Sequence, residues 1–293
     1  MIIPWSPSLS QKWDAYCDEN ALAWFWHRSG WMTYCASRAS EMLNLSFAVV
    51  HDGEIVGICP IIREGSALLY EHEPCPEPLY DNDVIKAEML THLRSVMDSY
   101  GIDSYDFRGA MDGIPTSDVS WATRIIELHA PSEIESIHRW LNVRKSYKSL
   151  IHKFQGTHRL DKSHDPRMVN ILHDLHREQA GRETRSQTTW DLMAAWVQSG
   201  HAYLCTAFNS AGICDGAIYV YAYKDHEYYG HAATRIKDIN HALIWKAIST
   251  STAQTFETGW QGHARDEKGQ AIEFFRRGFG GTNEPFIVSR FYA

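Results

Sequence analysis

The stretch "DEKGQAIEFFRRGFGG", residues 266–281, contains a helix and its stop. Asp266 stands where a side-chain oxygen accepts first-turn N–H groups, and Ala271, Ile272, Phe274 and Phe275 recur at helical spacing. Gly278 offers the left-handed residue at which such a helix ends. The segment therefore reads as a short amphipathic helix. Arg276 and Arg277 fall in its last turn, where cations complement the helix macrodipole.

Outward from this helix, the order of elements repeats. Residues 45–64, "LSFAVVHDGEIVGICPIIRE", read as two strands about Asp52 and Gly53, the strongest hairpin signal in the chain. "SALLYEH", residues 66–72, is a candidate third strand. Ile85, Met89, Leu90, Leu93 and Met97 then fall at helical spacing, and "IDSYDFRGA" reads as a strand ending in Gly109. Residues 201–234 repeat the pattern with two strands about Ala211 and Gly212 and a third after Lys224 and Asp225. A helix follows from about His241 to Gln254 with Asn240 as its cap, and "TFETG" closes the series as a strand ending in Gly259. The offset between the two glycine-ended strands is close to half the chain, which predicts two copies of one unit. Each is a mixed α+β unit with a mainly antiparallel sheet flanked by helices, over residues 1–143 and 144–293.

The expected join lies in residues 142–168. Arg144, Lys148 and His152 are one turn apart there, with Lys145 and Lys153 beside them, so the segment forms a helix with a basic edge. Such an edge serves either as a solvated face or as a site for phosphate or carboxylate.

Composition limits the partners. With 293 residues, 44% hydrophobic and 22% charged, the chain is long and apolar enough for a sizeable core, and disorder is not the default. A formal net charge of -8 argues against broad nucleic-acid binding, DNA included, and confines any RNA contact to a local patch. No run approaches the roughly 18 apolar residues of a membrane span. The N-terminus lacks the basic and apolar regions of a signal peptide, so a cytoplasmic location is expected. The six cysteines never occur as C-x-x-C and are expected as free thiols, although Cys205 and Cys214 could face each other across a hairpin. His173 and His176 share a helix face without an H-E-x-x-H frame, so no metal site is expected.

A hairpin-rich sheet, a helix and a further strand, twice in tandem, resemble the FemAB or FemABX group of the GNAT acyltransferase superfamily. Three stretches carry the resemblance: "GAIYVYAYKDHEYYGHAATRIKDINHALIWKAI", the strand "TFETG", and residues 266–281, which are similar to the family's terminal helix end of phenylalanine, basic residue, glycine, phenylalanine and glycine. "SFAVVHDGEIVGICPII" and "RKSYKSLIHKF" also look like family segments. The resemblance implies transfer of an acyl group to an amine, with one working site in the C-terminal unit. Acyl-CoA, acetyl-CoA in the simplest case, is the implied donor, and an amine on a sugar, nucleotide sugar or cell-envelope intermediate the acceptor. An aminoacyl-tRNA-dependent peptidyl or aminoacyl transferase is the alternative, and a noncatalytic glycan- or peptide-binding module a third. The donor loop "ATRIKDIN" departs from the family by lacking glycine. The long charged helical hairpin of some tRNA-using members is also absent, which favours a small thioester.

Acyl transfer needs an acceptor for the amine proton and a donor to the carbonyl oxyanion. Glu257, Tyr229 and His231 are candidates for the first, and Lys268, as the resemblance suggests, for oxyanion or phosphate contact. Strand alternation sends Tyr229 and His231 to one face and Tyr228 to the other. Arg235, Lys237, Asn240, His241, Arg276 and Arg277 are the donor-binding candidates, and Arg144, Lys148, Arg182 and Arg185 the acceptor-binding ones. Each has a structural reading beside it: a surface ion pair, a solvated first turn, a core aromatic or a polar loop.

Overall fold

The computed structural model describes residues 1–38, 42–65, 67–68, 75–111, 113–116, 121–128, 133–261, 264 and 266–293. The chain divides into two compact units, residues 1–120 with 286–293, and residues 121–285.

The first unit contains β1 (Ile2–Pro4), α1 (Ser10–Glu19), α2 (Ser29–Ala36), β2 (Leu43–Asn44), β3 (Phe47–His51), β4 (Glu54–Cys59), β5 (Ile62–Glu64), β6 (Ala67–Leu68), β7 (Cys75–Pro76), β8 (Leu79–Tyr80), α3 (Asp83–Tyr100) and β9 (Ser104–Arg108). The β3–β4 hairpin turns on Asp52 and Gly53, both at positive φ (53° and 85°), as a two-residue turn between right-twisted strands requires. Asn82 caps α3 by accepting from the N–H groups of Val84 and Ile85, and Gly101 ends it at φ 61°. Ile85, Met89, Leu93 and Met97 form its buried face. Of the candidate strand at residues 66–72, Ala67–Leu68 pairs with β5 and β9, and residues 66 and 69–72 lie outside the described residues.

The second unit contains β10 (Trp121–Glu127), α4 (Glu133–Asn142), α5 (Lys145–Thr157), β11 (Arg159–Ser163), α6 (Met168–Ala180), α7 (Gln187–Gln198), β12 (Ala202–Phe208), β13 (Cys214–Tyr223), β14 (His226–Thr234), α8 (Asn240–Thr250), β15 (Thr255–Gln261), α9 (Glu267–Arg277) and β16 (Thr282–Phe286). Its seven-stranded sheet has the order β11-β12-β13-β14-β15-β10-β16, and from β11 to β10 neighbours are antiparallel except where β14 meets β15. Ile218 and Val220 of β13, Phe256 of β15 and Ile244 and Ile248 of α8 belong to one core, closed by Tyr147, Ile151 and Phe154 of α5.

The last strand, β17 (Val288–Tyr292), pairs antiparallel with β9 of the first unit. β10, which follows β9 in sequence, pairs antiparallel with β15 of the second unit. The repeated order of elements suggests a boundary at 143/144; in the structure β10 and α4 group with the second unit and β17 with the first.

Local readings change as well. The strand of "TFETG" runs on to Gln261, because Gly259 (φ 105°) sits in a bulge where the β10 register shifts between Arg124 and Ile125. Asp266 caps α9 as expected, accepting from the N–H of Gly269 at 2.7 Å. Gly278 is right-handed (φ −72°), and the left-handed residues are Gly280 and Gly281. Gly278 is needed for proximity instead: a Cβ there would stand 1.9 Å from the Tyr147 ring. No α9 residue is buried, and Phe274 is covered on one side by the Arg144 guanidinium, 3.9 Å from its ring centre. Cys205 opposes Ile218 and Cys214 opposes Phe208, so the two thiols do not face each other; all six cysteines are free and buried.

Candidate functional site

β14 and β15 run parallel and then part. Their pairing covers residues 226–228 against 255–257, ending at Tyr228 and Glu257, while β14 continues through residues 229–234 and β15 through residues 258–261. β14 bulges at Gly230, since Val220 opposes Tyr229 and its neighbour Tyr219 opposes His231. A side chain at 230 would collide with Tyr221, whose ring carbon lies 2.5 Å from an added Cβ. The other side of the opening carries the Gly259 bulge. Two strands bent by bulges thus leave a gap inside a sheet, with facing edges that lack each other as ladder partners.

The Gly230 bulge also changes the faces. Alternation would put Tyr229 and His231 together, but the extra residue sends them to opposite sides. Tyr229 packs against the core with Val220, and burial pushes its phenol up to about 12, an effect that the positive charge of Arg276 opposes. His231 joins Tyr221 and Arg185 instead. Its Nε2 is 2.8 Å from the Tyr221 hydroxyl and its Nδ1 accepts from Arg185 Nη2 at 3.1 Å. Arg185 Nη1 donates to His176 Nε2 at 3.1 Å and its guanidinium lies over Trp190. Burial, then the charges of Arg185 and His173, hold His176 below the ordinary imidazole value.

Glu257 is 1% exposed. One carboxylate oxygen accepts from the Thr123 hydroxyl, and the other is 3.1 Å from His226 Nε2. His226 Nδ1 lies 2.6 Å from the Thr255 hydroxyl, which fixes the ring in line with the carboxylate. His226 and Thr123 were not among the sequence candidates: each sits in an ordinary strand run, and only the pairing of β14 and β10 with β15 brings them to Glu257.

Arg276 lies at the other side of the opening. Its Nη1 donates to the Trp260 carbonyl at 3.2 Å, and its guanidinium packs where Gly259 has no side chain. Thr258 Oγ1, both amide atoms of Gln261 and Arg276 Nε are buried without a hydrogen-bond partner among the described residues. Thr258 and Gln261 lie on the part of β15 that has left β14, where buried polar atoms ordinarily find partners.

The remaining donor candidates disperse. Arg235 is engaged by Glu178 (2.6 Å) and donates to the Cys214 carbonyl at 2.6 Å. Lys237 is exposed. Asn240 is the first residue of α8 and not its cap, a position taken by Ile239 without a side-chain bond; Asn240 Oδ1 is buried without a partner among the described residues. His241 is buried among Tyr147, Phe275 and Phe279, with Nδ1 2.7 Å from the Asp238 carbonyl, and burial holds it below its ordinary value. Although the loop lacks glycine, Asp238 adopts φ 70°, the left-handed conformation that glycine adopts most easily.

Of the acceptor candidates, Arg144 braces its own unit. Its N–H donates to the Gly278 carbonyl at 2.8 Å and its side chain lies on Phe274 and Tyr147. Lys148 donates to the Leu141 carbonyl. Arg182 and Lys268 are exposed. Arg277 lines a pocket together with Arg124.

No family model matches the chain. No curated protein matches it either. Solved structures do. FemX is similar with a TM-score of 0.63 at 11% identity, covering 98% of this chain and 96% of that one. L-PGS from Bacillus licheniformis is similar at 0.62 and 11%, covering 97% and 91%. A tandem GNAT protein from the clavulanic acid biosynthesis pathway is similar at 0.50 and 12%, covering 100% and 98%. The chain has the tandem GNAT fold that these structures share.

Proposed function

We propose that the chain is an N-acyltransferase working at the β14–β15 opening of the second unit, with an acyl thioester as donor and an amine on a sugar, nucleotide sugar or cell-envelope intermediate as acceptor. The observation that carries this reading is the parting of two parallel strands beside a buried Glu257–His226 pair. An extended ligand with amide groups can take the place of the missing ladder, as peptides do at open sheet edges. The similarity to the tandem GNAT protein and to FemX supports the reaction class.

The residues divide by task. Thr258 Oγ1 and Arg276 Nε have unused hydrogen-bonding capacity for the acyl carbonyl as negative charge develops on its oxygen. The attacking amine must lose a proton, and Glu257 with His226 is the pair positioned to receive it. The N-terminus of α8, with Asn240 and exposed Lys237, remains the place for a donor phosphate.

A second reading, aminoacyl transfer from tRNA, is favoured by the similarity to FemX and L-PGS. Against it, the side chains of Arg144 and Lys148 on the basic edge bond within their own unit, to the Tyr147 hydroxyl and the Leu141 carbonyl. A thermal-shift titration with acetyl-CoA, free CoA and an aminoacyl-tRNA pool separates the two, because a ligand specific for the folded state raises the melting temperature. A saturable rise with CoA supports the thioester donor. A rise with charged tRNA alone replaces it with the second reading, and no rise with any of the three sinks both in favour of a noncatalytic binding module.

A further inference from the structure

Apart from the strand opening, the second unit has a pocket of about 580 Å³ bordered by β10, α4, the end of α8 and residues 277–282. That volume lies within the roughly 300–1,000 Å³ of small-molecule sites. Its charged lining is three arginines, Arg124, Arg139 and Arg277, with His138 and the single acid Glu127. Arg139 is committed, since it is buried and donates to the Ile248 carbonyl at 3.0 Å at the end of α8.

Arg124 and Arg277 are differently placed. Arg124 donates from Nε to the Gly280 carbonyl at 2.7 Å and from Nη1 to Asn283 Oδ1 at 2.9 Å, so its partners are neutral oxygens. Arg277 is exposed, and its guanidinium has no hydrogen bond or ion pair among the described residues. Burial first, and the positive charge of Arg277 second, hold Arg124 below the ordinary guanidinium value. Two like charges thus share a half-buried space without a carboxylate between them, an arrangement that an anion would relieve. Ile126, Ile248 and Phe279 are buried apolar residues lining the same pocket, which suits a ligand with an apolar body as well as a charged group.

We propose that this pocket binds a small phosphate monoester, with Arg124 and Arg277 on the phosphate and Phe279 and the isoleucines against the rest. Arginine is suited to the phosphate because its planar fork donates two parallel hydrogen bonds. A small ligand fits better than a polyanion, because the chain carries a formal net charge of -8 and Glu127 stands at the rim. The site is separate from the strand opening: Arg276 serves that opening and Arg277, next in sequence, serves this pocket. The proposal does not rest on acyl transfer.

Isothermal titration of the full chain at low ionic strength with phenyl phosphate, inorganic phosphate and a single-stranded RNA oligonucleotide tests it. Phenyl phosphate is expected to bind saturably and more tightly than inorganic phosphate. Arg277→Gln, at an exposed position, should weaken it by ~10-fold, with Arg277→Lys between the two and Arg276→Gln within about 2-fold of the parent. Equal affinity in the parent and Arg277→Gln overturns the proposal, as does a loss confined to Arg276→Gln, which would place the phosphate at the strand opening. Absence of saturable phenyl phosphate binding, or tighter Arg277-dependent binding of the RNA, overturns it too.

Discussion

Arg276 occupies the space that a side chain at Gly259 would need: a Cβ there would lie 2.7 Å from the guanidinium carbon. The glycine is also at φ 105°, where an alanine is strained by about 1–3 kcal/mol. Gly259→Ala should therefore displace Arg276, and both Gly259→Ala and Arg276→Ala should weaken the donor-induced rise in melting temperature. A normal rise in both variants would remove Arg276 from the donor site.

Glu257→Gln keeps the shape of a side chain that Thr123 and His226 hold. If the carboxylate takes the amine proton, release of thiol from acetyl-CoA in the presence of an acceptor should fall by about 10²–10⁴-fold. The far-ultraviolet spectrum should not change. His226→Ala should lose less, and full activity in Glu257→Gln would exclude Glu257 as the base.

Gly278→Ala tests packing alone. The Tyr147 ring stands 1.9 Å from the added carbon, and both residues belong to the joint between α5 and the end of α9. A loss of about 1–3 kcal/mol is expected in urea unfolding, the usual cost of overpacking. Because the two residues touch, Gly278→Ala with Tyr147→Leu should lose less than the sum of the singles. Strict additivity would show that the ring moves aside freely.

His241 and His176 are both held below the ordinary histidine value of 6.5, principally by burial. In the unfolded chain they take up protons as pH falls through 6.5, whereas in the folded chain they stay neutral to lower pH. Their contribution to stability is therefore complete above pH 6.5 and is lost as pH falls from there through the folded values. His241→Phe should flatten the fall in melting temperature below pH 6.5. An unchanged slope would assign that fall to other groups.

Much of the fold was legible in the sequence because its signals are local. Asp52 with Gly53, Asn82 before α3 and Asp266 before α9 each act within a few residues of themselves. The bulge at Gly230 was not legible, because "YYGHA" reads as an alternating strand until Tyr219 and Val220 are set opposite it. That single insertion put Tyr229 and His231 on different faces. Arg276 and Arg277 read as a pair as well, although one step along an α-helix turns neighbouring side chains by about 100°. His226 and Thr123 have no local signal at all, and their meeting at Glu257 depends on strands more than a hundred residues apart for Thr123.

The placement of β10 and β17 bears on biosynthesis. β17, which pairs with β9, follows the second unit in sequence, so on the ribosome the first unit stays one strand short while the second unit is translated. β10, made early, has no sheet to join until β15 appears. Between the synthesis of β10 and that of β15 the nascent chain therefore carries two open edges, β9 and β10, each available to another polypeptide. A cut between residues 143 and 144 would leave β9 and β10 on one piece and their partners β17 and β15 on the other.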